Sequence, residues 1–394
     1  MTPTTTHLTR RRALGAIGAA AVTGALAPAG LASSAHAAAP PSPAPARRWR
    51  ARAAAGQRGL IHYFGAAWPQ VLHNTYPTSP GSDDQFHYWW LAHAVDARLD
   101  GHLRTGSRDT LADATRLARA IRHRNDGRLV NDYFDDMGWY ALALHRLWRI
   151  TGRTNHLDDA VALWEEIATE GWNETYGPSV AWRRDQLDYK NAPSNGPFAI
   201  LSYRLHADTG DGHYLSYADA AVTWLRETLL DPDSALVADG INRLGDGAID
   251  QDWIFTYCQG VWVGALVEAF RVHGDASLLA EATRTATAAV RELGDGGVFR
   301  SEGQGDGGLF AGIYYRYVWE LLNETGTGGP AAELAAFLRT STDALWESGN
   351  RGGRVLAGPD WTGPASATTD LSTQLSAVMA LEVRASLEES AGSR

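Results

Sequence analysis

Cysteine is almost absent from this chain of 394 residues. Cys258 stands alone, so no intramolecular disulfide can form and stability must come from burial. A mature chain of about 350 residues can bury roughly three quarters of its unfolded surface, enough for one large domain without staples. Long apolar runs are also missing. Beyond residue 32 nothing approaches the roughly eighteen uninterrupted apolar residues of a membrane-crossing helix. Basic charge is in deficit, with 35 Lys and Arg against 45 Asp and Glu, which excludes a general nucleic-acid binder. Metal-ligand spacing is lacking too: His87 and His93 are six apart and no His-Glu-x-x-His occurs. The clusters Gly245-Asp246-Gly247 and Gly305-Asp306-Gly307 do not carry the ligand series of a calcium loop. No metal and no cofactor are expected.

What is present begins with an export signal. Thr9-Arg10-Arg11-Arg12-Ala13-Leu14 leads into an alanine-rich apolar run over residues 13–32, and Ala35-His36-Ala37 has the small-x-small pattern of a signal-peptidase site. The paired arginines resemble a twin-arginine signal, although Ala13 stands where an aromatic is usual, so general secretory export is the alternative. Gly15, Gly18, Gly24 and Pro28 break the run and argue against an uncleaved anchor. Losing residues 1–37 removes three arginines and no acid, moving the formal charge from −10 to −13. The expectation is a secreted monomer with no membrane contact beyond export, and with no binding module or anchor after Leu387.

Residues 38–48 are rich in Pro and Ala and read as a linker, followed by one catalytic domain over residues 49–390. That domain is all-α: apolar residues recur three and four apart, between glycine-rich breaks. Thr105-Gly106-Ser107, Thr151-Gly152-Arg153, Thr209-Gly210-Asp211, His273-Gly274-Asp275 and Thr325-Gly326-Thr327 repeat one helix-ending turn, with glycine in the left-handed position. The glycines are 46, 58, 64 and 52 residues apart, too irregular for a strict solenoid but suited to hairpins around a ring. Six hairpins open near Asp84, Asp135, Ser194, Thr256, Gly308 and Asp370. The last lacks an outer partner, which residues 47–65 can supply. The prediction is an (α/α)6 barrel, with short strands such as Gly297-Val298-Phe299-Arg300 in its loops.

The sharpest local feature is Asn131-Asp132-Tyr133-Phe134-Asp135-Asp136-Met137-Gly138-Trp139, two adjacent acids opening an aromatic helix. Acids there also stabilise a helix by about 0.5–2 kcal/mol through capping and the macrodipole, so composition alone leaves both readings open. The other openings tip the balance, because they too are loaded with polar and aromatic residues: Asp83, Asp84, His87, Tyr88, Trp89 and Trp90; Tyr189, Asn191, Ser194 and Asn195; Tyr257 and Gln259. Such a cleft suits a sugar polymer, whose rings stack on aromatics and whose hydroxyls bind acids and amides. Glycoside hydrolysis needs two carboxyls, about 5–5.5 Å apart for retention and roughly 6.5–9.5 Å for inversion, and adjacent acids favour the shorter separation. Cys258 reads as buried packing, with no base beside it. Asp239 and Asn242 either line the rim or make a turn.

Residues 133–144 (YFDDMGWYALAL) strongly resemble the signature of glycoside hydrolase family 76, the endo-α-1,6-mannanases. Three further segments agree in order: residues 88–96 (YWWLAHAVD), 189–200 (YKNAPSNGPFAI) and 256–275 (TYCQGVWVGALVEAFRVHGD). The resemblance implies an (α/α)6 barrel acting on α-mannan or mannooligosaccharides with retention. It also implies Asp135 as nucleophile and Asp136 as general acid/base. Trp89, Trp90, Tyr189, Asn191, Asn195, Tyr257 and Gln259 are the candidate subsite residues. Two alternatives stay open, a cell-wall mannoside transglycosidase and a non-catalytic mannan-binding protein. The second is expected to have lost one of the paired acids, and both are present.

Overall fold

The computed structural model describes residues 44–392; the expected export signal lies outside the described residues. Among the described residues twelve α-helices alternate between two rings. The inner ring is α2 (Tyr88–Thr105), α4 (Phe134–Thr151), α6 (Ala192–Thr209), α8 (Thr256–His273), α10 (Gly307–Thr325) and α12 (Leu371–Gly392), each packed against the next and α12 against α2. Outside them run α3 (Arg108–Arg124), α5 (Thr154–Glu166), α7 (Gly212–Trp224), α9 (Ala276–Glu292) and α11 (Ala332–Gly349), with α1 (Ala44–Phe64) seated on α12. This is the (α/α)6 barrel, and the N-terminal helix does supply the sixth outer element.

The two rings differ because their surroundings differ. Outer helix α3 buries one stripe, Ala114, Leu117, Ala118 and Ile121, and leaves its other faces to water. Inner helix α8 is buried along nearly its whole length, from Thr256 to Ala269, since neighbours cover every side. Four inner helices stop at a left-handed glycine, Gly106, Gly152, Gly210 and Gly274 at φ 68–74°, where a side chain would be strained. The fifth repeat departs from the expected pattern. Gly326 has ψ −176° and leads through a short 3-10 turn, Gly329–Ala331, into α11.

The described part of the expected linker, residues 44–48, belongs to the fold. Helix α1 already begins at Ala44, and Ala46 and Trp49 are buried, because closing the ring needs a helix over α12. Glu382 of α12 fastens this seam. It accepts from Arg104 Nε (2.6 Å) and Nη2 (2.9 Å) and from Gln57 Nε2 (3.0 Å), joining α12, α2 and α1. Towards their C-terminal ends the inner helices are stitched by further ion pairs, among them Arg316 with Asp100 (2.9 Å), Arg204 with Glu268 (2.6 Å) and Arg271 with Glu320 (2.8 Å).

The opposite end of the ring, where inner helices start, carries the longer loops and all the sheet. Strands β1 (Thr75–Tyr76) and β8 (Thr369–Asp370) pair there, as do β6 (Gly294–Asp295) and β7 (Val298–Phe299). A four-stranded antiparallel sheet stands at one side, in the order β2 (Trp172–Asn173), β3 (Ser179–Arg183), β4 (Gln186–Asn191) and β5 (Gly240–Ile241). It forms one wall of the cleft described next. No helix among the described residues is long and apolar enough to cross a membrane.

Candidate active site

A cavity of about 870 Å³ opens at the inner-helix N-termini, and Asp135 and Asp136 both line it. They are the second and third residues of α4, whose N-terminus projects partial positive charge onto them. Consecutive helix positions point roughly 100° apart, so the two carboxyls meet different partners. Asp135 Oδ1 accepts the Asp136 backbone amide (2.9 Å) and its Oδ2 accepts the Trp182 indole N–H (3.0 Å). Asp136 Oδ2 accepts from Asn131 Nδ2 at 2.6 Å.

These contacts oppose the effect of burial. Burial pushes the Asp135 carboxyl up, while the hydrogen bonds from the Asp136 amide and Trp182 pull it back. Burial also pushes Asp136 up, and there the Asp135 charge adds to the effect, opposed by Asn131. The net effect leaves Asp135 raised to about 7 and Asp136 also raised, with two hydrogen-bond donors favouring the Asp135 anion and one favouring that of Asp136.

The remaining wall is acidic and aromatic. Asp239 precedes β5 and is buried, accepting from Tyr189 Oη (2.6 Å) and Tyr257 Oη (2.5 Å). Burial raises its pKa against those two bonds. Tyr189 reaches it because residue 240 is glycine: a Cβ there would lie 2.6 Å from the Tyr189 ring. Asp306 Oδ1 accepts from both Trp89 Nε1 (3.1 Å) and Trp90 Nε1 (2.9 Å). Phe310, one turn further along α10, stacks on Tyr257 at 3.9 Å and 6°. Glu302 carries Thr256 at the start of α8, accepting its amide (2.8 Å) and hydroxyl (2.5 Å), and burial pushes it up to about 7. Arg243 lies 3.8 Å over the Trp253 ring at the rim.

Of the residues expected from the sequence, Asp135, Asp136, Trp89, Tyr189, Asn191 and Tyr257 all line the cavity, and Asn191 also caps α6 through the Ser194 amide. Trp90, Asn195 and Gln259 do not line it, which corrects their assignment as subsite residues. Trp90 is buried behind the wall, stacked on His87 at 3.5 Å. Asn195 turns back to hold the Val180 amide and carbonyl, each at 2.8 Å. Gln259 does the same for Val237 at 2.8 and 2.7 Å. Inner helices enclosed on every side must send some polar side chains away from the cleft, and these satisfy loop backbone that would otherwise be buried unpaired. Asn242, at φ 71°, makes a turn by accepting from the Gly247 amide. Cys258 is a buried free thiol.

Sequence reasoning missed Trp182, Asp306, Phe310, Glu302, Arg243 and Trp253. Asp306 and Phe310 were within reach, since they flank the fifth hairpin opening at helical spacing. Trp182 was not: it sits on a strand 47 residues from the acid it touches. Among the described residues no group of three or more His, Cys, Asp or Glu is placed to hold a metal ion.

The chain is similar to several solved structures. The Lin0763 protein of Listeria innocua is 40% identical over 86% of this chain and 97% of its own, with a TM-score of 0.83. The GH76A α-1,6-mannanase of Salegentibacter sp. HEL1_6 is 36% identical over 86% of this chain and 99% of its own, with a TM-score of 0.81. An inactive variant of that mannanase, with two consecutive aspartates replaced by asparagine, has been solved with α-1,6-mannotriose. Dfg5 of Chaetomium thermophilum, at 18% identity and a TM-score of 0.72, shares the fold. No curated protein matches the chain. The family model for glycosyl hydrolase family 76 matches residues 48–391. With nearly the whole described barrel inside that match, the chain is a glycoside hydrolase and belongs to glycosyl hydrolase family 76.

Proposed function

We propose that this glycoside hydrolase cleaves α-1,6-linked mannan within the chain and with retention of configuration. The observation that carries this is the geometry at α4: Asp135 accepts two N–H donors, the Asp136 amide and the Trp182 indole, while Asp136 in the same cavity accepts only from Asn131. In the first step Asp135 attacks the anomeric carbon as the bond to the departing 6-oxygen breaks, and Asp136 gives that oxygen its proton. In the second step Asp136 takes a proton from water, the hydroxide adds to the anomeric carbon, and Asp135 leaves as carboxylate.

Trp89, Tyr257 and Phe310 offer faces for pyranose rings, and the cavity has room for more than one ring, which supports internal cleavage. The mannanase relative supports both substrate and acid pair, since its inactive variant lacks two consecutive aspartates and holds α-1,6-mannotriose. The export signal in residues 1–37 supports action outside the cytoplasm. Replacing Arg10 and Arg11 by lysine and following the mature protein in the medium tests that route.

The decisive experiment incubates the mature protein with linear α-1,6-mannan and follows reducing ends, product sizes and the first-formed anomer by proton NMR. Mixed short oligosaccharides released as the α-anomer support the reading. Intact polymer overturns the substrate. Products longer than the starting oligosaccharide point instead to transglycosylation, and release of mannose alone overturns internal cleavage.

A further inference from the structure

Of the 35 lysine and arginine residues only one, Lys190, is a lysine, and it has no exposed surface. It lies in β4 between Tyr189 and Asn191, both of which line the cleft. Strand alternation turns Lys190 to the other face. There its Nζ donates to three backbone carbonyls, of Asn173 (2.5 Å), Gly177 (3.0 Å) and Ser179 (2.9 Å). An ammonium has three N–H donors, so the group is fully used, whereas a water with two donors would leave one carbonyl unpaired. Arginine, planar and forked, does not match three converging carbonyls.

The carbonyls belong to the last residue of β2, the β2–β3 turn and the first residue of β3. Val180, the next residue, is held from the opposite side by Asn195. Two residues further on, Trp182 gives its indole N–H to Asp135. Lys190 and Asn195 thus hold the backbone of the first two residues of the strand that carries the Asp135 donor.

We infer that the Lys190 ammonium acts as a built-in monovalent cation: seated on three carbonyls, it fixes β3 so that Trp182 meets Asp135, and is a positioning residue for catalysis. The inference rests on Asp135 being the nucleophile, as proposed above. A site of this kind, emptied of its side chain, should accept a free ammonium or potassium ion.

The test uses the mature Lys190→Ala protein in ammonium, potassium or choline chloride at equal ionic strength. In choline, kcat falls about 10–100-fold with KM nearly unchanged, as expected for a small misplacement at the reacting centre. The acidic limb of the pH profile moves to higher pH, because the indole bond that pulls the Asp135 pKa down is lost. Trp182→Phe gives the same displacement, and in the double variant the two effects do not add. Ammonium restores most of kcat and the limb position, and choline does not. The second readout needs no turnover: the Trp182 indole N–H resonance, identified by its loss in Trp182→Phe, moves in Lys190→Ala and returns with ammonium. An inactive wild type with a cation-responsive indole would sink the mannanase reading and leave the positioning role standing. Activity and indole unchanged in Lys190→Ala overturn the inference, as does a loss that no cation restores, including failure to fold in every salt.

Discussion

Trp182 and Asp135 stand 47 residues apart in the chain, yet the indole nitrogen of one lies 3.0 Å from Oδ2 of the other. This bond and the Asp136 amide both favour the anionic form of Asp135. Asp136 has only Asn131 to offset its burial and its neighbour's charge. Two chemically identical neighbours in sequence thereby acquire different electrostatic surroundings, which is what two-step displacement at a sugar carbon requires.

The two acids are separable by leaving group. Asp136→Ala should lose about 10²–10⁴-fold on mannan, where the departing oxygen needs a proton. On an aryl mannoside with a strongly acidic phenol the glycosylation step needs no proton, so most of the loss in kcat/KM should vanish, while kcat stays low because Asp136 also activates the water of the second step. Asp135→Ala should lose activity on both. Values of kcat/KM on the two substrates check this, and equal losses in kcat/KM for Asp136→Ala would overturn its role as proton donor.

Stability should fall as pH rises through neutrality. A carboxyl whose pKa is higher folded than unfolded stabilises the fold fully below its unfolded value of about 4. That contribution is lost as pH rises through the folded value, about 7 for Glu302, with Asp135, Asp136 and Asp239 also raised. Asp135→Asn should therefore raise Tm at about pH 8 by roughly 2–4 °C and leave it unchanged near about pH 4. Thermal melts across that window decide it, and a gain confined to acid pH would contradict the assignment.

Residues that line the cleft and those that support its wall should fail differently. Phe310→Ala removes a ring stacked on Tyr257 and should raise KM about tenfold, the loss of one stacking contact of about 1.4 kcal/mol, with little change in unfolding free energy. Asn195→Ala leaves the Val180 amide and carbonyl buried without partners, at a cost of about 2–4 kcal/mol. Urea unfolding and KM measured on both variants separate the two roles.

Ring closure should depend on the Arg104 and Glu382 pair, each about 5% exposed and joined by two hydrogen bonds. Arg104→Met leaves the Glu382 carboxylate buried with only Gln57, and should cost about 3–5 kcal/mol. Chemical denaturation reads this, while KM for the remaining folded enzyme should not move, since the seam lies away from the acid pair.

The hairpin ring was legible because its signals are local. Left-handed glycines at Gly106, Gly152, Gly210 and Gly274 end helices wherever they fall, and burial on all sides leaves a continuous apolar run such as that of α8. The acid pair was legible for the same reason, as a short motif at a helix start. Trp90, Asn195 and Gln259 were misassigned because neighbouring helix positions differ by about 100°, and a sequence does not say which of those directions faces the cleft. That depends on how each helix is rotated against two neighbours.

By itself the sequence determined the six-hairpin barrel, the N-terminal helix that completes it, and the adjacency of Asp135 and Asp136, since each follows from periodicity, turn chemistry or a contiguous motif. Only the tertiary structure decided which donors meet each acid. It also revealed that Asp306 clamps two indoles and that the one lysine is buried with its Nζ on three backbone carbonyls. The physical reason is range: a helix or a turn is set by residues a few positions apart. A carboxyl's charge is set by burial and by donors that arrive from distant segments only once the chain has closed on itself.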